Sequence, residues 1–241
     1  MINKFFSPKH LINFTDSYLK QIVALMLLCF FSGIYYGFFA SPLDYQQGEY
    51  VRIMYIHVPA AWLSLAIYLS MGVSSFIYLI WRNPIFDLIA KNSAPIGALF
   101  CFITLFTGSF WGKPIWGTWW VWDARLTSML ILFFFYLSYL ALIDLSKDRA
   151  NNKAPATLAV LGCINIPIVK FSVNLWNSLH QPASVFKLGG PSIHNSMLVP
   201  LMLMFLAFCL YFKANLLIAL KASLLKHKKL RNFDSFLALH K

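Results

Sequence analysis

Charged residues are scarce in this sequence, and acidic residues are the scarcest of them. Only 12% of the 241 residues are charged, and 8 acidic residues stand against 20 basic ones. Because about a quarter of the residues in soluble domains are charged, this scarcity excludes an ordinary soluble domain. Hydrophobic residues make up 59% of the chain and aromatic residues 17%, and the mean hydropathy is +0.66. The composition therefore indicates a membrane protein.

Cysteine is also rare, and the sequence lacks several motifs that would define a site. The four cysteines are far apart, each within an apolar run, so they offer no metal-binding spacing and no redox pair. The absence of a CxxCH motif excludes a c-type cytochrome with covalently attached haem. The absence of a nucleotide-binding motif means that any use of ATP belongs to a partner.

Six apolar runs are long enough to cross a bilayer. A hydrocarbon core of about 30 Å needs about 17 to 25 apolar residues per helix. The runs cover about residues 21–40, 58–81, 95–111, 126–143, 156–176 and 195–212. No β-type alternation is present, and unpaired backbone groups are not tolerated in lipid, so the spans must be helical. We predict an all-α polytopic membrane protein: one integral domain over residues 1–241, with a basic cytoplasmic tail at 213–241.

Lysine and arginine are distributed unevenly between alternate connections. Fifteen lie on one side of the predicted membrane and only four on the other, namely Arg52, Lys113, Arg125 and Lys187. The positive-inside rule then places both termini in the cytoplasm. The net charge of +12 is mostly a topology signal, so we expect the bilayer and not nucleic acid as its partner. Three connections, at residues 41–57, 112–125 and 177–194, are predicted on the outer side.

The middle outer connection contains a dense group of tryptophans, in the stretch "IWGTWWVWDARLTS". Tryptophan gathers at both membrane interfaces in many membrane proteins, so an aromatic belt is the simpler interpretation of any single one. A belt, however, spreads around a bundle and does not crowd one loop. If this loop is helical, Trp116, Trp119, Trp120 and Asp123 share one face and form a flat aromatic surface. Such a surface suits a flat, largely apolar ligand.

Two histidines are predicted at the same membrane level as this aromatic surface. His57 lies at the start of the second span, in "RIMYIHVPAAW", and His180 follows the fifth, in "WNSLHQPAS". A single histidine in a membrane protein usually packs or forms hydrogen bonds, but two at matching depth beside an aromatic surface favour ligands. His194 shares the outer side and is read as an interface residue.

A planar ligand that needs two axial nitrogen donors, an aromatic surface and nearby cations is haem. Arg52 and Arg125 lie in the outer connections and could pair with propionates. The alternative is structural pairing, of Arg52 with Glu49 and of Arg125 with Asp123. Asp123 could also fix a Trp N–H or a helix start.

One charged residue lies inside a predicted span. Lys170, in "NIPIVKFSVNLW", could reach the outer interface, because about six residues, roughly 9 Å along a helix, separate it from Trp176. We expect Pro167 to kink this span, and Asn165 and Asn174 to face the bundle.

The stretch from Trp116 to Ser128 resembles the tryptophan-rich WWD signature of haem-handling proteins in cytochrome c maturation. Trp116, Gly117, Trp120, Trp122 and Asp123 match its WGxxWxWD core. The chain length, the six spans and the two flanking histidines are similar to the haem exporter protein C (CcmC) family. The resemblance extends from the first span to the last.

This resemblance implies haem delivery and no enzyme activity, although assistance in covalent haem attachment to the chaperone stays open. Haem b would bind at the periplasmic face of the inner membrane, with His57 and His180 as axial ligands of the iron. The cofactor-binding residues would further include Trp116, Gly117, Trp119, Trp120, Trp122, Asp123, Arg52 and Arg125. The haem would pass to the membrane-anchored chaperone CcmE, in an ABC transporter complex with CcmA, CcmB and the small subunit CcmD.

Three other functions are considered. A b-type cytochrome subunit with bis-His haem usually buries its ligands inside the spans, where this sequence has no histidine. A cytochrome c synthetase of the WWD type is longer and has more histidines. A permease that moves haem between its helices stays open, because the sequence does not indicate how haem reaches the site.

Overall fold

The structure of the protein is a computed structural model that describes residues 7–145, 153–176, 178–181, 184–187 and 189–239. Of residue 175 and residues 227–239 it describes the backbone alone. Some of the basic residues counted on the cytoplasmic side lie outside the described residues, namely Lys4, Lys147, Arg149 and Lys241, and so do the side chains of Lys228, Lys229 and Arg231.

The described residues form helices and connecting loops without a β-strand. The helices are α1 (Pro8–Ile34), α2 (Met54–Trp81), α3 (Pro84–Trp116), α4 (Ala124–Leu145), α5 (Ala154–Gly162), α6 (Asn165–Leu175) and α7 (Asn195–Leu239). A π-helical turn, Tyr35–Ala40, extends α1, and a 3-10 helix, Glu49–Ile53, precedes α2. Six helical segments of the described chain are long and apolar enough to cross a membrane, α5 and α6 together forming the fifth. The prediction of a six-span all-α membrane protein is confirmed.

Several helices are longer than the apolar runs in the sequence. The third helix begins at Pro84, eleven residues before the run at 95–111, because Asn83 caps it by accepting the N–H of Ile85 at 3.1 Å. The last helix continues through residue 213 to Leu239 without a break. Contacts with α1 support this extension: Lys213 lies 5.6 Å from the Phe14 ring, and Lys221 pairs with Asp16. The predicted tail therefore begins inside a helix.

The core lies where α2 packs against α3, α4 and α5. Lipid provides no hydrophobic drive for helices to associate, so close packing and polar contacts must hold them together. Gly97 and Gly162 allow this, since a Cβ at either would overlap the hydroxyl of Tyr136 or Tyr68, respectively. The Tyr136 hydroxyl donates a hydrogen bond to the Ser64 carbonyl at 2.7 Å.

The fifth span is interrupted, as its proline predicts. α5 ends at Gly162 and α6 begins at Asn165. Pro167 has no N–H for the carbonyl of Cys163, four residues earlier, and that carbonyl instead accepts the N–H of Ile166 at 3.1 Å. Asn165 is buried at the break and donates from Nδ2 to the Ser128 carbonyl at 2.8 Å, so it faces the bundle as expected.

The three predicted outer connections meet at one end of the bundle. The first is fixed by a hydrogen bond from Nε1 of Trp111 to Oε1 of Gln47, 2.9 Å long. The second and third are joined by Ser178, whose hydroxyl donates to the Asp123 carboxylate. These contacts bring residues that are over 130 positions apart in the sequence to one region of the molecule.

Candidate functional site

A cavity of about 690 Å³ lies between the outer ends of the helices. Both His57 and His180 line it, together with Trp116, Trp120 and Arg125. The volume is in the range of sites that bind drug-sized ligands and cofactors. The remaining wall is largely aliphatic and aromatic. The tertiary structure thus brings five of the ten site residues predicted from the sequence to the surface of one cavity.

His57 lies in the first turn of α2 and is fixed from two sides. Its Nδ1 lies 3.1 Å from the hydroxyl of Thr107, and its ring contacts Trp111 edge to face at 5.5 Å between centroids. The Thr107 hydroxyl proton is used on the Ile103 carbonyl at 2.6 Å, so its oxygen is an acceptor for the tautomer of His57 that carries its proton on Nδ1. Nε2 then carries the lone pair. Gly108 provides room, since a Cβ there would lie 3.0 Å from Cε1 of the imidazole.

His180 belongs to the third outer connection and is fixed against the tryptophan-rich loop. Its ring contacts Trp116 edge to face at 4.9 Å between centroids, and its Nδ1 lies 3.6 Å from Oδ2 of Asp123. Trp116 in turn covers Gly112, one turn after Gly108 on α3. The two histidines therefore contact α3 through different residues, His57 beside Gly108 and His180 through the Trp116 ring.

Asp123 organises both the helix start and the histidine. Its Oδ1 accepts the N–H of Leu126 at 2.8 Å, which caps α4, and its Oδ2 accepts the Ser178 hydroxyl. Burial lowers the pKa of His180 below its ordinary value of 6.5, and the nearby Asp123 carboxylate raises it in part. The net lowering keeps the imidazole neutral at pH 7, which is the form that binds a metal ion.

The tryptophans do not form the predicted helical surface. α3 ends at Trp116, Gly117 adopts a left-handed conformation with φ of +76°, and the chain is non-helical up to Asp123. The expectation of a helical loop is wrong, because this glycine closes the helix. Only two of the four indoles consequently line the large cavity, those of Trp116 and Trp120.

The other two tryptophans lie at the surface of the bundle. Trp119 is 51% exposed and packs edge to face on Phe110, with the Lys113 ammonium 5.9 Å from its ring. Trp122 is 76% exposed and contacts Trp120 edge to face at 5.5 Å. Neither Trp119 nor Trp122 lines the cavity, and Gly117 acts as the end of a helix.

The two predicted propionate partners differ in their surroundings. Arg52 forms an ion pair with Glu49 at 2.7 Å and does not line the cavity, as the structural alternative predicted. Arg125 lines the cavity but is not paired with Asp123 in the described part of the chain. Its Nε donates to the Ser172 hydroxyl and its Nη2 to the Lys170 carbonyl, both at 3.3 Å.

Further polar and aromatic residues line the cavity without having been predicted to bind the ligand, among them Gln47, Trp111, Lys170 and Lys187. Lys170 had a signal in the sequence, as a charge inside a span. Trp111 ended a predicted span and carried no comparable signal. Only the fold shows that it contacts His57 and holds Gln47.

Comparison with known proteins identifies the family. A sequence model described as "Heme exporter protein C" matches residues 1–233. The chain belongs to the haem exporter protein C family. It is 46% identical over 223 residues to the heme exporter protein C of Bradyrhizobium diazoefficiens, covering 92% of this chain and 84% of that protein. It is 46% identical over 207 residues to the Haemophilus influenzae protein of that name, covering 86% of this chain and 84% of the relative.

A further relative comes from Marchantia polymorpha and is named as a ccmC-like mitochondrial protein of cytochrome c biosynthesis. It is 55% identical over 175 residues, which cover 73% of this chain and 74% of the relative. Membership in the family implies a role in haem handling for cytochrome c maturation, as a transport or transfer component of a Ccm haem-export complex. The six apolar helices agree with a multi-pass membrane protein.

Proposed function

We propose that the protein binds haem b in the outer cavity, with His57 and His180 as the two axial ligands of the iron. The observation that carries this proposal is that both imidazoles line the same cavity of about 690 Å³. Two imidazoles that bind one iron place their donor atoms about 4 Å apart, twice a metal–nitrogen bond of about 2 Å, and this separation is the geometric requirement of the proposal.

The residues around the two histidines fit a haem group. Nδ1 of His57 is held by Thr107, as is usual for histidines that bind metals, and Nδ1 of His180 is buried with the Asp123 carboxylate 3.6 Å away. The indoles of Trp116 and Trp120 offer apolar surface to the macrocycle. Nε1 of Trp120 is buried without a hydrogen-bond partner in the described structure, so a donor is available for the cargo.

The position of the cavity supports delivery of the haem. Its wall includes residues from loops at the end of the bundle, and a cargo held there can be reached by a partner without passing between the helices. The uneven distribution of Lys and Arg supports the periplasmic face of the inner membrane as its location. The receiver would be the haem chaperone CcmE, with CcmA, CcmB and CcmD as the other subunits.

The test is to purify the full-length protein alone and with its chaperone, and to compare the haem content and absorption spectra of the wild type, His57→Ala and His180→Ala. Each substitution should remove the low-spin bis-imidazole spectrum, and both should stop the formation of c-type cytochromes while the protein remains inserted in the membrane. His194→Ala is the matched control, because His194 is an exposed histidine that bonds Ser196 and does not line the cavity.

Normal c-type cytochrome levels in both cavity variants would contradict the proposal. A reversible haem redox couple linked to a quinone, with haem that is never transferred to the chaperone, would instead favour the b-type cytochrome.

A further inference from the structure

The wall of the cavity has a strong excess of positive charge. Three cationic side chains, those of Arg125, Lys170 and Lys187, belong to it, and none of its described residues is Asp or Glu. Lysine inside a membrane span is costly, and it is usually placed toward a polar cavity or a partner. An anionic ligand would therefore bind in this cavity more readily than a neutral one of the same shape.

Arg125 and Lys170 lie side by side on this wall. Arg125 is near the start of α4 and Lys170 is in the middle of α6. The arginine joins the two helices through its hydrogen bonds to the Ser172 hydroxyl and the Lys170 carbonyl, both 3.3 Å long. A guanidinium has five N–H donors, so three of them stay available to a ligand. The contact also places the backbone of Lys170 against the guanidinium.

Neither of these two cations has a carboxylate partner in the described part of the chain. The acidic residue nearest to Arg125 in the sequence, Asp123, accepts bonds from Leu126 and Ser178 and faces His180. Arg52, the other arginine of the outer connections, is already paired with Glu49. A carboxylate that enters the cavity would thus meet two cations without displacing a protein carboxylate from either.

We propose that Lys170 and Arg125 together form the subsite for the acidic side chains of the porphyrin, with Lys170 as the residue that distinguishes a free dicarboxylic porphyrin from its neutral ester. This inference rests on the proposed function, because it places the haem in the same cavity. It assigns a binding role to the charged residue inside the fifth span. It also replaces Arg52, predicted from the sequence, with Lys170 as the second propionate partner.

The experiment titrates purified full-length protein in detergent with haem and, separately, with haem dimethyl ester. In Lys170→Met the affinity for haem should fall about tenfold or more, because a charge-assisted hydrogen bond is lost. The affinity for the ester should change less than twofold. Lys170→Arg should restore most of the affinity for haem. Lys213→Met is the matched control, since it removes a lysine of α7 that contacts Phe14 away from the cavity.

An equal loss of affinity for haem and for its ester in Lys170→Met would overturn the inference, and so would an unchanged affinity for haem. The ester also separates the two proposals. If wild-type protein binds the ester with the low-spin spectrum and His57→Ala does not, the histidine site stands whatever the lysine variants show. If the histidine variants leave that spectrum unchanged, the proposed function fails, independently of the lysine result.

Discussion

The hydrogen bond between Thr107 and His57 offers a sharp test of the proposed haem site. The threonine hydroxyl uses its proton on the Ile103 carbonyl at 2.6 Å, and it therefore accepts the Nδ1–H of His57 at 3.1 Å. This fixes both the ring orientation and the tautomer with its lone pair on Nε2. Thr107→Val preserves the shape of the side chain but removes the acceptor.

The expected cost follows from what remains after the substitution. In haem-free Thr107→Val the imidazole turns to find another acceptor, and turning it back to direct Nε2 at the iron leaves its N–H unpaired, which costs about 1–3 kcal/mol. Because this cost is paid on binding, the affinity for haem should fall about 5- to 150-fold. Removal of a group that orients a metal-binding histidine typically lowers metal affinity by about 10- to 100-fold, which agrees with this range.

The assay is a haem titration of detergent-purified protein, followed by the low-spin absorption bands. Thr104→Val is the matched control: Thr104 lies one turn earlier on α3, lines the same cavity, and donates to the Phe100 carbonyl at 2.8 Å. We expect less than a twofold change there. Equal losses in the two variants, or no loss in Thr107→Val, would refute the argument.

Two other features give testable outcomes. Because burial lowers the pKa of His180, diethyl pyrocarbonate should modify this residue in haem-free protein with a midpoint below pH 6.5. In Asp123→Asn that midpoint should move lower still, since the carboxylate that raises the pKa is gone. The free energy of unfolding that depends on the neutral imidazole of His180 should be fully present above pH 6.5 and should be lost as the pH falls through the lowered pKa. A midpoint of modification above pH 6.5 in the wild type would contradict this reasoning. In the core, Gly97→Ala should lower the free energy of unfolding by about 1–3 kcal/mol, because the Cβ of the new alanine overlaps the Tyr136 ring. An unchanged melting temperature in detergent would show that the helices can separate at this point without cost.

The site could be predicted in part because its chemistry is concentrated in the sequence. Histidine is rare on the outer side, and four tryptophans lie within seven residues, so both stood out before any contact was known. Because both connections were predicted on the outer side of the membrane, His57 and His180 were also predicted at the same depth in it. Which indoles line the cavity could not be predicted, because that depends on the end of α3 at Gly117 and on the packing of Trp119 against Phe110.

The ends of the helices were less predictable than their existence. Hydropathy locates the apolar middle of a span, whereas the start of α3 depends on the cap at Asn83, and the continuation of α7 on contacts with α1. Propionate partners illustrate the same limit. Arg52 and Arg125 were equivalent in the sequence, and the structure distinguishes them by the ion pair of Arg52 with Glu49 and by the place of Arg125 on the cavity wall.

The sequence by itself determined that the chain lies in a lipid bilayer, how many helices span it and to which family it belongs. These follow from the length of the apolar runs and the spacing of the tryptophans, which are local properties of the chain. The tertiary structure alone decided which residues share the cavity. His57, Gly108, Arg125 and Lys170 lie on four different helices, and they meet because α2, α3, α4 and α6 pack at one end of the bundle. Distances across helices depend on packing, which no local pattern specifies.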